Sequence, residues 1–148
     1  AMRNRELFLR RLLVDAGYKN TSSRMKIVSL IGKRATFTTS EILEEVSRVY
    51  PEIGRATVFR TLDTLLSLGA LDKVKLSEGK DGYIVCGPPH HHHIVCTECG
   101  KIGELNSDNL EEALEKAVEK LGFELRYHSI EISGLCESCR TASQTHKR

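Results

Sequence analysis

A chain of 148 residues with 40% hydrophobic and 28% charged residues is long enough for one ordinary domain or two small ones, and this composition excludes a disordered protein. No apolar run approaches the roughly 18 residues that cross a bilayer, and the charged start lacks a signal peptide's apolar core, so a cytoplasmic protein without a membrane partner is expected. The net charge of +2 is uneven: residues 1–82 carry 15 Lys/Arg against 10 Asp/Glu, and residues 83–148 carry 7 against 10. A basic first half suits a polyanionic partner, although a solvated basic surface has the same charge. Ala1 before Met2 reads as a cloning remnant.

Residues 3–16 place Leu7, Leu9, Leu12, Leu13 and Ala16 among Arg and Glu, a helical pattern that Gly17 stops. A second helix is predicted after a cap at Thr21, Ser22 or Ser23, and a third after Thr39 or Ser40, ending before Pro51. A fourth spans about Gly54 to Leu68, with Val58, Leu62, Leu65 and Leu66 on one stripe and Gly69 as its stop. Its polar side offers Arg55, Thr57, Arg60, Thr61 and Thr64. Leu71–Leu76 and Tyr83–Cys86, separated by a Ser/Gly/Lys/Asp turn, read as a hairpin. Short helices followed by a two-stranded wing are the winged form of the helix-turn-helix, in which one helix enters the major groove, and the fourth helix is the natural reader.

Gly87-Pro88-Pro89 is the clearest linker in the chain and is read as a hinge between residues 1–86 and residues 90–148. Beyond it, Ile94-Val95 and Ile102–Leu105 read as strands, and Asn109–Leu121 as an amphipathic helix stopped by Gly122. Phe123–Ser133 reads as a further strand, and residues 140–148 as a loose polar tail. The expected class is therefore α+β: an N-terminal winged helix-turn-helix domain and a C-terminal α/β domain whose small core needs a metal or a dimer partner.

All five cysteines lie beyond residue 85, and four form the pairs Cys96/Cys99 and Cys136/Cys139. Two Cys-x-x-Cys turns without a secretion signal make the tetrahedral four-sulfur site that suits structural zinc, with Gly100 supplying the positive φ of the turn. His90 to His93 follow the hinge. In an extended chain His91 and His93 share one face and His90 and His92 the other, so each pair can anchor a separate ion. Cys86 can close on the first face or serve as a small buried hydrophobe. His128 and Glu111 are candidates for the second face, but an ordinary buried histidine and a solvated acidic helix face fit them too, and spacing does not choose.

Two stretches, Ile53-Gly54-Arg55-Ala56-Thr57-Val58-Phe59-Arg60-Thr61-Leu62 and the run from His90 to Lys101, followed by the Cys136/Cys139 pair, resemble the ferric uptake regulator family of bacterial metal-dependent repressors. The resemblance extends over nearly the whole chain and implies a dimer that represses metal-homeostasis genes from palindromic double-stranded operator DNA. The chain is similar to the zinc uptake regulator branch. That similarity implies regulatory ligands at Asp72, Cys86, His91 and His93 and a third site at His90, His92, Glu111 and His128, two to three Zn²⁺ per subunit in all. Arg55, Thr57, Phe59 and Arg60 are the expected DNA contacts, with Arg24 on phosphate. Phe59 stands where the family usually has Tyr, which leaves apolar contact with a thymine methyl but no hydroxyl.

The iron and peroxide sensors of the family place a histidine where this chain has Phe37 and a carboxylate where it has Ile84 near Cys86. A thiolate among the donors favours Zn²⁺ over Fe²⁺. An iron-, manganese- or peroxide-responsive regulator is the alternative within the family. A zinc hydrolase or deaminase would need an open coordination position and a nearby general base, and no His-Glu-x-x-His or His-x-Glu pattern is present; neither an enzyme nor a small-molecule substrate is expected. A zinc-stapled interaction module without DNA binding leaves the arginine and threonine face of the fourth helix unexplained.

Overall fold

The computed structural model describes residues 2–86, 91–105 and 108–145. Its first half is helical: α1 (Met2–Asp15), α2 (Ser22–Gly32), α3 (Thr39–Val49) and α4 (Arg55–Ser67). Thr21 caps α2 by accepting the Arg24 N–H. The cap of α3 is Thr38, one residue before the expected Thr39 or Ser40, because Thr38 and Glu41 bond reciprocally: the Thr38 hydroxyl accepts the Glu41 N–H at 3.0 Å and the Glu41 carboxylate accepts the Thr38 N–H at 2.8 Å. Helix α1 crosses α2 at Gly32, where a Cβ would sit 2.8 Å from Glu6 Cβ and 2.9 Å from Glu6 Cα. Only glycine allows that approach.

Strands β1 (Thr36–Thr38), β2 (Leu71–Lys75) and β3 (Asp81–Val85) form an antiparallel sheet in the order β1-β3-β2. The β2–β3 hairpin is the expected wing. Strand β1 was not expected, since three residues are too few to display an alternation. The leucine stripe of α4 faces inward as predicted: Val58, Leu62, Leu65 and Leu66 join Leu9, Leu13, Ile27, Ile31, Phe37 and Ile42 in the main core. Leu62 is fully buried, so Leu62→Ala is expected to lower the unfolding free energy by about 2–5 kcal/mol, measurable by urea denaturation. A loss within about 0.5 kcal/mol would contradict its place in the core.

The second half holds β4 (His92–Cys96), β5 (Ile102–Leu105), α5 (Asp108–Glu119), β6 (Ile132–Gly134) and α6 (Glu137–Thr145). The sheet order is β5-β4-β6, with β4 antiparallel to β5 and parallel to β6. Two expectations fail here. Of the strand expected over 123–133 only β6 pairs, because residues 123–131 find no strand partner among the described residues, and Phe123 and Tyr127 lie exposed. The tail expected from residue 140 is helical as far as Thr145.

No residue of α5 is buried although its sequence is strongly amphipathic, and a cleft of about 440 Å³ lined by Val118, Leu121, Phe123, Leu125 and Tyr127 opens beside it. A smaller apolar cluster joins the two halves: Val74 and Ile84 of the wing sheet bury against Val95 of β4. The hinge expected at residues 87–89 lies outside the described residues.

Candidate metal centres and the outer face of helix α4

The two Cys-x-x-Cys turns meet. Cys96 closes β4, Cys99 precedes Gly100 at φ 74°, and Cys136 and Cys139 flank the start of α6, bringing the four sulfurs within 4.8 Å of one another. The Cys99 and Cys136 sulfurs are 3.7 Å apart. A zinc tetrahedron with Zn–S bonds of about 2.3 Å has an edge of about 3.8 Å, so the cluster fits zinc by donor type and by size. The Cys136 N–H donates to the Cys96 sulfur at 3.4 Å, and this bond, with that from the Cys99 amide, pulls the Cys96 thiol down to about 6. Hydrogen bonding to the Cys136 and Cys99 sulfurs pushes Cys139 up to about 12.

A second cluster lies where the wing meets β4. The Asp72 carboxylate, on β2, accepts the His93 backbone N–H at 3.2 Å and lies 3.0 Å from His93 Nδ1. His91 stacks edge-on against His93 with ring centroids 4.6 Å apart. The third group beside this pair is Glu104, whose carboxylate oxygen is 3.8 Å from His91 Nε2 and which shares a cluster of ligand atoms with His91 and His93 within 4.8 Å.

Of the expected regulatory set, His91 and His93 share a cluster with Glu104, and Asp72 touches His93, but neither Asp72 nor Cys86 belongs to that cluster. Cys86 sits at the end of the wing strand with its thiol 3.7 Å from the Ile84 carbonyl, buried, and pushed up to about 12 by desolvation and then by the Asp72 charge. Glu104 was missed by sequence reasoning. The signal was available: a tight turn between Cys96 and Lys101 pairs Val95 with Ile102, and counting outward along the hairpin sets His93 opposite Glu104. Phe37 and Ile84 are apolar core positions here, Phe37 stacked on Tyr83 with centroids 5.3 Å apart and Ile84 in the seam with Val95.

The third cluster gathers His92, Glu111 and His128. Glu111 Oε1 lies 2.6 Å from His92 Nε2 and 3.1 Å from His128 Nε2, and the two nitrogens are 3.3 Å apart. That separation equals the edge of a tetrahedron with Zn–N bonds of about 2.0–2.1 Å, roughly 3.3 Å. The donors of the cluster fit a zinc ion. His90, the fourth expected member, lies outside the described residues.

Arg55, Phe59 and Arg60 stand exposed on α4, with Thr57 half-buried beside them. Arg60 donates to the Thr57 hydroxyl at 3.1 Å. Thr61, which sequence periodicity placed on this polar face, is instead buried with its hydroxyl donating to the Thr57 carbonyl at 2.9 Å, and the Thr64 hydroxyl turns back in the same way to Arg60. A cleft of about 600 Å³ separates this face from the start of α2, lined by Thr21, Arg24, Thr57, Arg60 and Thr64. Arg24 packs over the Tyr18 ring and donates to the Lys19 carbonyl.

Comparison with known proteins shows the family and the fold. The model of the ferric uptake regulator family matches residues 15–133. The ferric uptake regulation protein of Bacillus subtilis strain 168 is 32% identical over 93% of this chain and 96% of its own length, and that of Neisseria gonorrhoeae 33% identical over 86% and 90%. A solved structure described as a zinc uptake regulator complexed with zinc and DNA shares the fold, with a TM-score of 0.69 at 23% identity over 97% of this chain and 98% of that one. The chain belongs to the ferric uptake regulator family, whose members are metal-responsive transcription regulators and not enzymes.

Proposed function

We propose that this protein is a zinc-responsive repressor that binds a palindromic double-stranded operator as a homodimer, in control of zinc-uptake genes, when Zn²⁺ fills a regulatory site at Asp72, Cys86, His91 and His93. The observation that carries this reading is the contact between Asp72 of the wing and His93 of β4. An ion held by donors from both halves ties the wing to the C-terminal unit and fixes the spacing of two α4 helices in a dimer. The division is into a DNA-binding domain over 1–86, a hinge over 87–89 and a dimerisation domain over 90–148. Cys96, Cys99, Cys136 and Cys139 hold a structural zinc, and His90, His92, Glu111 and His128 a third ion.

The half-buried apolar stripe of α5 and the exposed Leu121, Phe123 and Tyr127 support a second copy as the covering partner. Among the described residues no helix is long and apolar enough to cross a membrane. The proposed regulator acts in the cytoplasm and takes no small-molecule substrate. On DNA, Arg55, Thr57, Phe59 and Arg60 lie in the major groove and Arg24 binds phosphate. Arg60→Ala is expected to cost about 1–3 kcal/mol of operator affinity, read by footprinting at saturating zinc, with zinc content unchanged. An unchanged footprint would remove α4 as the reader.

A second reading, an iron-, manganese- or peroxide-responsive regulator, draws support from Glu104, a hard oxygen donor beside His91 and His93, and from relatives that are ferric uptake regulation proteins. The soft donor Cys86 and the apolar Phe37 and Ile84 favour zinc.

A further inference from the structure

The outermost line of α4, opposite the leucine stripe, runs through Ala56, Arg60, Asp63 and Ser67, all exposed and spaced as successive turns of one helix face. Ala56, Arg60 and Ser67 can all approach a polyanion without repulsion. Asp63 cannot. It lines the same cleft as Arg24 and Arg60, yet neither guanidinium answers it: Arg60 donates to the Thr57 hydroxyl at 3.1 Å, and Arg24 donates to the Lys19 carbonyl. Among the described residues Asp63 makes no hydrogen bond and no ion pair.

A carboxylate carried on the DNA-facing side of a helix weakens binding to every sequence, because it meets phosphate charge and neutralises none of it. Only a base edge that donates to it can offset that loss. In the major groove the cytosine N4 amino group donates with no acceptor beside it, whereas adenine N6 has the N7 acceptor as its neighbour, a pattern that suits an amide and repels a carboxylate. Arg60 fits the complementary edge, guanine O6 and N7. Three residues advance a helix by about 4.5 Å and one base step advances a strand by about 3.4 Å, so the two side chains reach the same or neighbouring base pairs.

We propose that Asp63 is a specificity-determining residue that accepts from a cytosine N4 amino group within one base step of the pair that Arg60 contacts. This rests on the reading of α4 as the DNA-recognition helix given above. Arg60 supplies attraction and Asp63 supplies discrimination, since a site without cytosine at that position leaves the carboxylate facing the groove with no donor.

The test is selection of duplexes from a random library by the full-length dimer at saturating zinc, for the wild type, Asp63→Asn and Asp63→Ala, followed by affinities for single-base variants of the wild-type operator. The expected wild-type result is one cytosine per half-site that is preferred about tenfold over other bases. Asp63→Ala should lose that preference at that position alone and bind unrelated duplex several-fold more tightly, and Asp63→Asn should move the preference to adenine. Arg60→Ala should relax a position within one base step of it. Variants that keep every wild-type base preference overturn the proposal, and so does a gain of affinity that is uniform across all sequences; both leave α4 standing as the reader. A wild-type dimer that enriches no sequence at any zinc concentration contradicts the reading of α4 itself, and the proposal with it.

Discussion

Cys86→Ser is expected to abolish the zinc response of operator binding while the four-cysteine ion stays in place. The substitution is nearly isosteric and keeps the Cys86 backbone N–H on the Ala70 carbonyl at 2.9 Å, so the wing should fold as before. What it removes is a thiolate, the donor that separates zinc from harder ions at this site. Losing one ligand from a site of this kind should weaken zinc there by about 100-fold or more. The consequence for DNA follows from population arithmetic. To move the wing from a mostly free to a mostly tied arrangement, zinc must favour the tied one by roughly 5 kcal/mol, and a site stripped of its sulfur cannot supply that differential. Mobility shift across a zinc-buffered series, alongside circular dichroism, measures both fold and response. An unchanged zinc midpoint would take Cys86 out of the mechanism.

Cys99→Ser should act on stability, not on sensing. The C-terminal unit has little core of its own in a single chain: Val95 and Cys96 are its buried hydrophobic residues among those described, and α5 contributes none. A four-sulfur zinc contributes folding free energy of order 10 kcal/mol or more in small metal-stapled units. Without Cys99 the turn from β4 to β5 and the start of α6 lose their common anchor, and the surface that a second copy covers loses its support. The expected result is loss of one zinc per subunit by elemental analysis and dissociation by sedimentation. A variant that keeps its dimer and its thermal midpoint would show that the apolar contacts suffice without the ion.

The helical half was readable from the sequence because its signals are local and redundant. The stripe of Val58, Leu62, Leu65 and Leu66, the cap at Thr21 and the stop at Gly69 each point to the same element boundaries, and packing agrees with them. The cysteine turns were readable for a different reason: Cys-x-x-Cys fixes its own geometry, and Gly100 takes the positive φ that such a turn demands. What was not readable depends on partners distant in sequence. Strand β1 exists because β3 offers it an edge, and the 123–131 segment, read from the sequence as a strand, joins no edge among the described residues. Thr61 shows the limit of helical periodicity, since a polar residue at the boundary of the stripe can bury its hydroxyl on the preceding turn.

The candidate site divides in the same way. His91 with His93, and His92 opposite, follow from strand alternation alone, and the structure places His91 and His93 in one cluster and His92 in another. Asp72 reaches His93 only because the wing packs on β4 through Val74, Ile84 and Val95, a seam that no local pattern announces. Glu111 and His128 could equally be read as a solvated helix face and an ordinary buried histidine until α5 and the 126–128 segment brought them to His92.

The central claim is that zinc, through a site shared by the two halves, turns on DNA binding. Its most direct test is titration of the chelator-treated dimer with Zn²⁺, Fe²⁺ and Mn²⁺ at buffered free concentrations while fluorescence anisotropy follows binding to its own promoter DNA. The account predicts that Zn²⁺ alone, beyond the tightly held structural ion, switches binding on. Equal activation by Fe²⁺ or Mn²⁺ at comparable free concentrations would contradict it and assign the site to a harder ion held through Glu104.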